Sequence, residues 1–217
     1  MKTNSQLQGD VVAELRWEPK IEEANIATAV HDGIVTLSGH VSTFAQKLAA
    51  ERAAERVAGV KAIANELDVR ILGINERTDT DIAQAALTAL HWDVEVPDRI
   101  TVKVDKGYVT LDGTVDWFFQ KAAAQRAVRN LTGVRGVWNN IALKPRVAEK
   151  DVTRRIKEAL HRSADREADR ITVDAADGRV TLRGSVRSYA ERKDMEMAAW
   201  AAPGVAEVTD LTSISSI

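Results

Sequence analysis

The chain has 217 residues, with 30 basic and 32 acidic side chains for a net charge of −2, 45% hydrophobic and 29% charged residues. That balance describes a chain able to fold, and it excludes a disordered protein and a bulk positive field that would capture nucleic acid. No cysteine is present, so disulfides and thiolate metal sites are excluded, and no run of about 18 apolar residues offers a membrane span.

The opening residues, MKTNSQLQGDVVAELRWEP, hold one lysine and no long apolar run before the first acid. They do not read as a signal peptide, and the expected location is the cytoplasm. In chain order the same set of elements then comes round three times. Each set opens with a helix: Asp81 can cap one in which Ile82, Ala86, Leu87 and Leu90 recur before Pro97, and Asp151, Val152, Ile156, Ala159 and Leu160 repeat the pattern. Leu15-Arg16-Trp17, Leu90-His91-Trp92 and Leu160-His161-Arg162 hold one landmark position in the three copies.

A strand comes next, with Ile100, Val102 and Val104 alternating with Thr101, Lys103 and Asp105. The turns HDG, DKG and ADG make a hairpin, with Gly33, Gly107 and Gly178 where positive φ is cheap. The heptads GIVTLSG, GYVTLDG and GRVTLRG supply the second strand, placing Val35 and Leu37 on one face and Thr36, Thr110 and Thr181 on the wet one. The trailing Gly39, Gly113 and Gly184 suit a place where a helix crosses close to the strand, or a bulge.

A second helix follows, opened by Thr43 with Gln46 and by Ser188 with Glu191 at capping-box spacing. Phe44, Phe118 and Tyr189 come next in the three copies, and Ala50, Ala53, Ala54 and Val57, matched by Ala124, Ala127, Val128 and Leu131, form a small-residue stripe that lets the helix lie close to the sheet. Gly59, Gly133 and Gly204 suit left-handed C-caps, and Val60, Ile63, Asn65, Leu67 and Val69 form the closing strand. Each unit therefore reads as an α+β module, α-β-β-α-β, a small three-stranded mixed sheet with two helices on one face. The crossover helix makes the second and third strands parallel if they are neighbours.

Gly33, Gly107 and Gly178 stand 74 and 71 residues apart, and Gly59, Gly133 and Gly204 each follow 20 residues after the last glycine of their heptad. Two glycine landmarks held in one register three times mark an internal repeat. The modules span 1–70, 76–145 and 148–217, with the short connectors ILGINERT and PRVAEK around and between them.

These residues resemble the BON domain (bacterial OsmY and nodulation) family, through its glycine-bounded V-T-L hairpin, alanine-rich helix and closing G-V-x-x-V-x-N strand. DGIVTLSGHV with VAGVKAIANELDV carries the pattern in the first copy, KGYVTLDGTV with LTGVRGVWNNIAL in the second and DGRVTLRGSV with APGVAEVTDLTSI in the third. Asp210 replaces the terminal asparagine in the third copy, and Thr212 stands where Leu67 and Ile141 provide core, so a looser third closing strand is expected. The resemblance implies a stress-associated, non-enzymatic module that binds phospholipid surfaces or other envelope components. The family's two-copy exported type makes the periplasm the alternative location.

No catalytic, metal or cofactor-binding residue is assigned. His31, His40, His91 and His161 recur with no carboxylate at metal or triad spacing. The heptad glycines bracket a strand instead of leading into a helix with a lysine, and one carboxylate per hairpin falls short of a calcium shell. Trp117 is the departure between copies: in DWFFQK it takes the helix-start place of Thr43 and Ser188. Either it staples the helix entrance locally, or with Phe119 it forms an exposed apolar patch that contacts a partner or lipid. Trp17 and Trp92 are expected at module contacts or the core edge, with Trp138 and Trp200 in packing. Lys47, Glu51, Arg52, Glu55 and Arg56 are expected on a solvated helix face. The expected partners are another protein or further copies of the chain, with a phospholipid surface as the alternative.

Overall fold

The computed structural model describes residues 2–21, 25–71, 73, 76–144, 156, 158, 171–202 and 204–214. In the first unit Thr3 caps helix α1 (Asn4–Trp17) with a complete capping box to Gln6, and Leu7, Val11 and Leu15 bury one stripe of it. Strands β1 (Ile26–His31) and β2 (Ile34–Val41) pair antiparallel around Asp32 and Gly33, whose φ of 50° and 85° fit a type I′ turn. Helix α2 (Phe44–Arg56) crosses over and returns the chain as β3 (Ala62–Val69), parallel to β2. β2 is central, and its Val35 and Leu37 are wholly buried.

The second unit repeats this with α3 (Asp79–Trp92), β4 (Thr101–Asp105), β5 (Tyr108–Asp112), β6 (Thr114–Val115), α4 (Phe118–Val128), β7 (Gly136–Asn139) and β8 (Ala142–Leu143). Its sheet order is β4-β5-β7, and the β6-β8 pair carries the same parallel register past Gly113. The third unit supplies β9 (Ile171–Ala176), β10 (Arg179–Val186), the helix α5 (Tyr189–Trp200) and β11 (Glu207–Ile214), again with the hairpin's second strand in the middle. Of its first helix, Ile156 and Glu158 are helical and Ile156 is wholly buried; Asp151, Val152, Ala159, Leu160, His161 and Arg162 lie outside the described residues. The fold is α+β, and each unit has its own apolar core.

Several local details differ from the sequence expectation. Thr78, not Asp81, caps α3; Asp81 sits at the third helical position and its carboxylate accepts from the Thr78 hydroxyl (2.7 Å) and N–H (3.1 Å). Those bonds hold Asp81 below the usual carboxylate range. Gly59 is not a C-cap but the third residue of a turn that follows the helix, closed by the Val60 N–H on the Val57 carbonyl at 3.2 Å. Val134 to Leu131 and Val205 to Ala202 repeat that turn, and positive φ at its third position is what a type II turn requires. At Gly39 the close neighbour is the Asn25 carbonyl at the entrance of β1, not a helix.

The third closing strand is not loose. β11 pairs with β10 through eight residues, and Thr212 is buried with its hydroxyl (2.6 Å) and N–H (2.8 Å) both donating to Asp210. In the other units Asn65 and Asn139 tie the strand to the second helix, donating to the Lys47 carbonyl (3.4 Å) and the Lys121 carbonyl (2.9 Å). Asp210 instead accepts from Arg192 at 2.6 Å, so a charged pair replaces an amide bridge at the same place.

Candidate functional site

Glu55, Arg129 and Trp200 keep the 74- and 71-residue spacing of the heptads, as do Phe44, Phe118 and Tyr189 at the other end of the second helix. Four of these six residues, Phe44, Phe118, Trp200 and Glu55, make contacts between units. Phe44 packs against its own core and also against that of the second unit. Phe118 stacks on Trp200, with ring centroids 4.6 Å apart and planes 11° from parallel. From α5, Lys193 reaches Glu55 of the first unit at 3.2 Å. Contacts thus run from first unit to second, second to third and third to first, closing a ring with two apolar joints and one charged joint.

Glu55 therefore leaves the face on which the sequence placed it. It is 6% exposed, while Glu51 bonds Asn65 and Lys47 donates to the Leu67 carbonyl. Regular charge spacing on a helix marks a solvated face only while nothing docks on it.

Trp117 takes extended backbone at the start of α4, with φ −137°, and an indole has no oxygen with which to cap a helix. The cap bonds come from the Gln120 side chain, which accepts from the N–H groups of Asp116 (3.0 Å) and Trp117 (3.1 Å). Trp117 is partly buried and stacks on Phe119 at 6.5 Å, while Phe119 is half exposed. The pair forms one aromatic step beside the joint that Phe118 makes.

Trp17 and Trp92 are not packed at module contacts: they are 83% and 80% exposed. Helical geometry explains this, because each lies two residues beyond a buried leucine, Leu15 or Leu90, and residues two apart point to nearly opposite sides. Trp138 is likewise exposed, on the wet face of the second sheet beside Thr110, and Tyr108 lies over Gly136 on that face. Strict alternation after the inward Val137 carried that signal too.

The wet faces of the three sheets share little chemistry. The first presents Ala29, Thr36 and Ala64, the second Tyr108 and Trp138, and the third the cross-strand ion pairs Arg179 with Glu207 (3.1 Å) and Arg183 with Asp174 (3.8 Å). All nine heptad and landmark glycines, Gly33, Gly39, Gly59, Gly107, Gly113, Gly133, Gly178, Gly184 and Gly204, hold positive φ. Among the described residues, no group of three or more His, Asp or Glu side chains gathers to hold a metal ion. His31 and His91 each sit in an exposed contact with one aspartate, and His161 lies outside the described residues.

The BON domain model matches this sequence three times, at residues 3–71, 78–145 and 148–215. The chain is 31% identical over 149 residues to osmotically inducible protein Y of Escherichia coli (strain K12), an alignment covering 65% of this chain and 73% of that protein. Among solved structures, CdsD, a structural protein of the type III secretion system of Chlamydia trachomatis, is 14% identical with a TM-score of 0.28, covering 96% of this chain and 92% of that one. The periplasmic domain of PrgH gives 10% identity and a TM-score of 0.24, covering 88% of this chain and 95% of its own.

Proposed function

Because the chain belongs to the BON domain family, with copies at 3–71, 78–145 and 148–215, we propose that it is a non-catalytic binding protein of osmotic or envelope stress, acting by surface contact with a protein partner or with further copies of itself. The supporting observation is where apolar surface remains. Among the described residues, six of the ten exposed large hydrophobic side chains, Leu87, Trp92, Val94, Tyr108, Phe119 and Trp138, belong to the middle unit, although its core is already filled. Aromatic side chains left outside a complete core are the usual anchors of protein contacts.

Sedimentation velocity across a wide concentration range tests this reading, on the natural chain and on Phe119→Ser and Trp138→Ser. Concentration-dependent association that either substitution weakens supports it. A monomer at every concentration, with partner capture unchanged in both variants, rejects it.

The exposed Trp17 and Trp92, at one position in two units, favour a second reading as a membrane-surface protein, since indole rings suit the headgroup layer. That reading expects salt-sensitive cosedimentation with anionic vesicles that Trp17→Ser/Trp92→Ser abolishes. The proposed compartment is the cytoplasm, with the periplasm as the alternative, and cell fractionation distinguishes them.

A further inference from the structure

Glu55, Arg129 and Trp200 hold one position in the three units, and two of them meet a partner from a neighbouring unit, Lys193 on Glu55 and Phe118 on Trp200. Arg129 meets neither a ring nor an acid. Leu48 of the first unit stands where the third has Lys193, so the first joint offers no charge at the place from which Glu55 receives one. Among the described residues no hydrogen bond or ion pair engages the Arg129 guanidinium. The charges that act on it are like its own, from Arg52 of the first unit and Arg126 of its own helix. Arg126 is spent on Glu95 at 2.7 Å, and Arg52 donates to the Leu48 carbonyl at 3.2 Å, which leaves its charge uncancelled. Burial first, then these two charges, holds Arg129 below the usual arginine range.

Arg129 lines the crevice of about 130 Å³ between the first and second units. Ser42 and Thr43 of the first unit and Thr132 of the second bring hydroxyls to the same walls, and no acidic residue lines them. The space is well below the ~300–1,000 Å³ of a site for a whole metabolite, so its walls lie within reach of one small bound group. Thr43 accepts from the Gln46 N–H at 3.2 Å, while the Ser42 and Thr132 hydroxyls have no bond of their own among the described residues. Ile71 and Val134, both buried, complete the enclosure on the apolar side, and a low local dielectric strengthens any charged bond made there.

We propose that this crevice binds one phosphate group, held by the Arg129 guanidinium with the Ser42 and Thr132 hydroxyls, and that the anion supplies the opposite charge this joint lacks. A guanidinium fork matches two oxygens of a tetrahedral anion, and hydroxyl donors suit the others. A carboxylate would fill the fork and leave the hydroxyls idle. The third unit closes its joint with a lysine of the chain itself; the first joint takes its counter-charge from outside. Occupancy ties the second unit to the first.

NMR titration of the full chain with inorganic phosphate, against chloride at constant ionic strength and pH, is the test. Saturating amide shifts at Ser42, Thr43 and Asn130 to Thr132 are expected, with a dissociation constant of about 1 mM that Arg129→Gln raises about tenfold. Lys103→Gln, exposed on the second sheet, leaves it unchanged. No saturation by about 20 mM phosphate, shifts centred elsewhere, or natural affinity in Arg129→Gln overturns the proposal. Melting gives an independent reading: the natural chain melts higher in phosphate than in chloride and Arg129→Gln loses that difference, whereas an equal difference in both proteins overturns the site. Vesicles of phosphatidic acid in phosphatidylcholine separate the sources. A lipid headgroup is the ligand if vesicles bind through Arg129 and phosphate displaces them, and a soluble ion is the ligand if phosphate binding alone depends on Arg129.

Discussion

Glu55, buried near the end of α2, bonds the Lys193 ammonium of α5 at 3.2 Å and so ties the first unit to the third, 138 residues later. Lys193 is half exposed, which weakens the pair, but removing it leaves a carboxylate with little access to water. Lys193→Met is expected to cost on the order of 1–3 kcal/mol in urea unfolding of the whole chain, while Glu55→Leu/Lys193→Met returns close to the natural value. A single substitution with no cost would show that this joint does not hold in solution.

The Phe118–Trp200 stack links the second and third units. A double-mutant cycle with Phe118→Leu and Trp200→Leu is expected to give a coupling of about 0.5–1.5 kcal/mol. Strict additivity of the two losses would place the rings apart.

Asp210 gives the third unit an acid sensitivity that Asn65 and Asn139 do not give the others. Burial pushes its carboxyl upward, but hydrogen bonds from Thr212 and Arg192 outweigh burial and the net shift is downward. A folded value below the ordinary one of about 3.9 means that the stabilisation is full above that pH and fades as pH falls through the folded value. Asp210→Asn is expected to lower stability at pH 7 by about 1 kcal/mol and to flatten the loss on acidification below about pH 4. Chemical unfolding measured from pH 7 to pH 2 reads both effects, and parallel curves for the two proteins would rule out this assignment.

Gly178 and Gly9 respond oppositely to alanine. At Gly178 φ is +77° and a Cβ would stand 2.9 Å from the Gly204 carbonyl, so Gly178→Ala is expected to cost about 1–3 kcal/mol. Gly9 lies inside α1 with nothing within 4 Å of an added Cβ, so Gly9→Ala is expected to stabilise by about 0.5–1 kcal/mol. Thermal melts of the two variants check the pair, and a shift in the same direction for both would contradict it.

The Gly178 contact also explains why the two glycine landmarks keep one spacing. The turn glycine of each hairpin lies against the carbonyl of the glycine in the later turn, Gly33 on Gly59, Gly107 on Gly133 and Gly178 on Gly204, and accepts a hydrogen bond from the residue two beyond it. A one-residue slip would break that contact. The register visible in the letters is thus a tertiary contact written three times. Trp117 and Phe119 were legible as a departure between copies, because a duplicated frame makes any substitution stand out. The outward Trp17, Trp92 and Trp138 are misplaced by expecting aromatic side chains in packing, although period and phase carry the signal that turns them outward.

Although the letters suggest a helix cap where Gly59 makes a turn and packing where Trp138 is exposed, much of the unit can be read from them: its element order, its parallel crossover, its hairpin turns and the inward Val and Leu of the central strands. Those follow from local backbone sterics and from periods of two and 3.6 residues, which depend only on near neighbours. The way the units meet cannot be read there. Glu51 and Glu55 are the same residue four positions apart on one helix, yet the first bonds Asn65 of its own unit and the second is buried against Lys193 of another. Only the fit between surfaces far apart in the chain buries Glu55 and stacks Phe118 on Trp200.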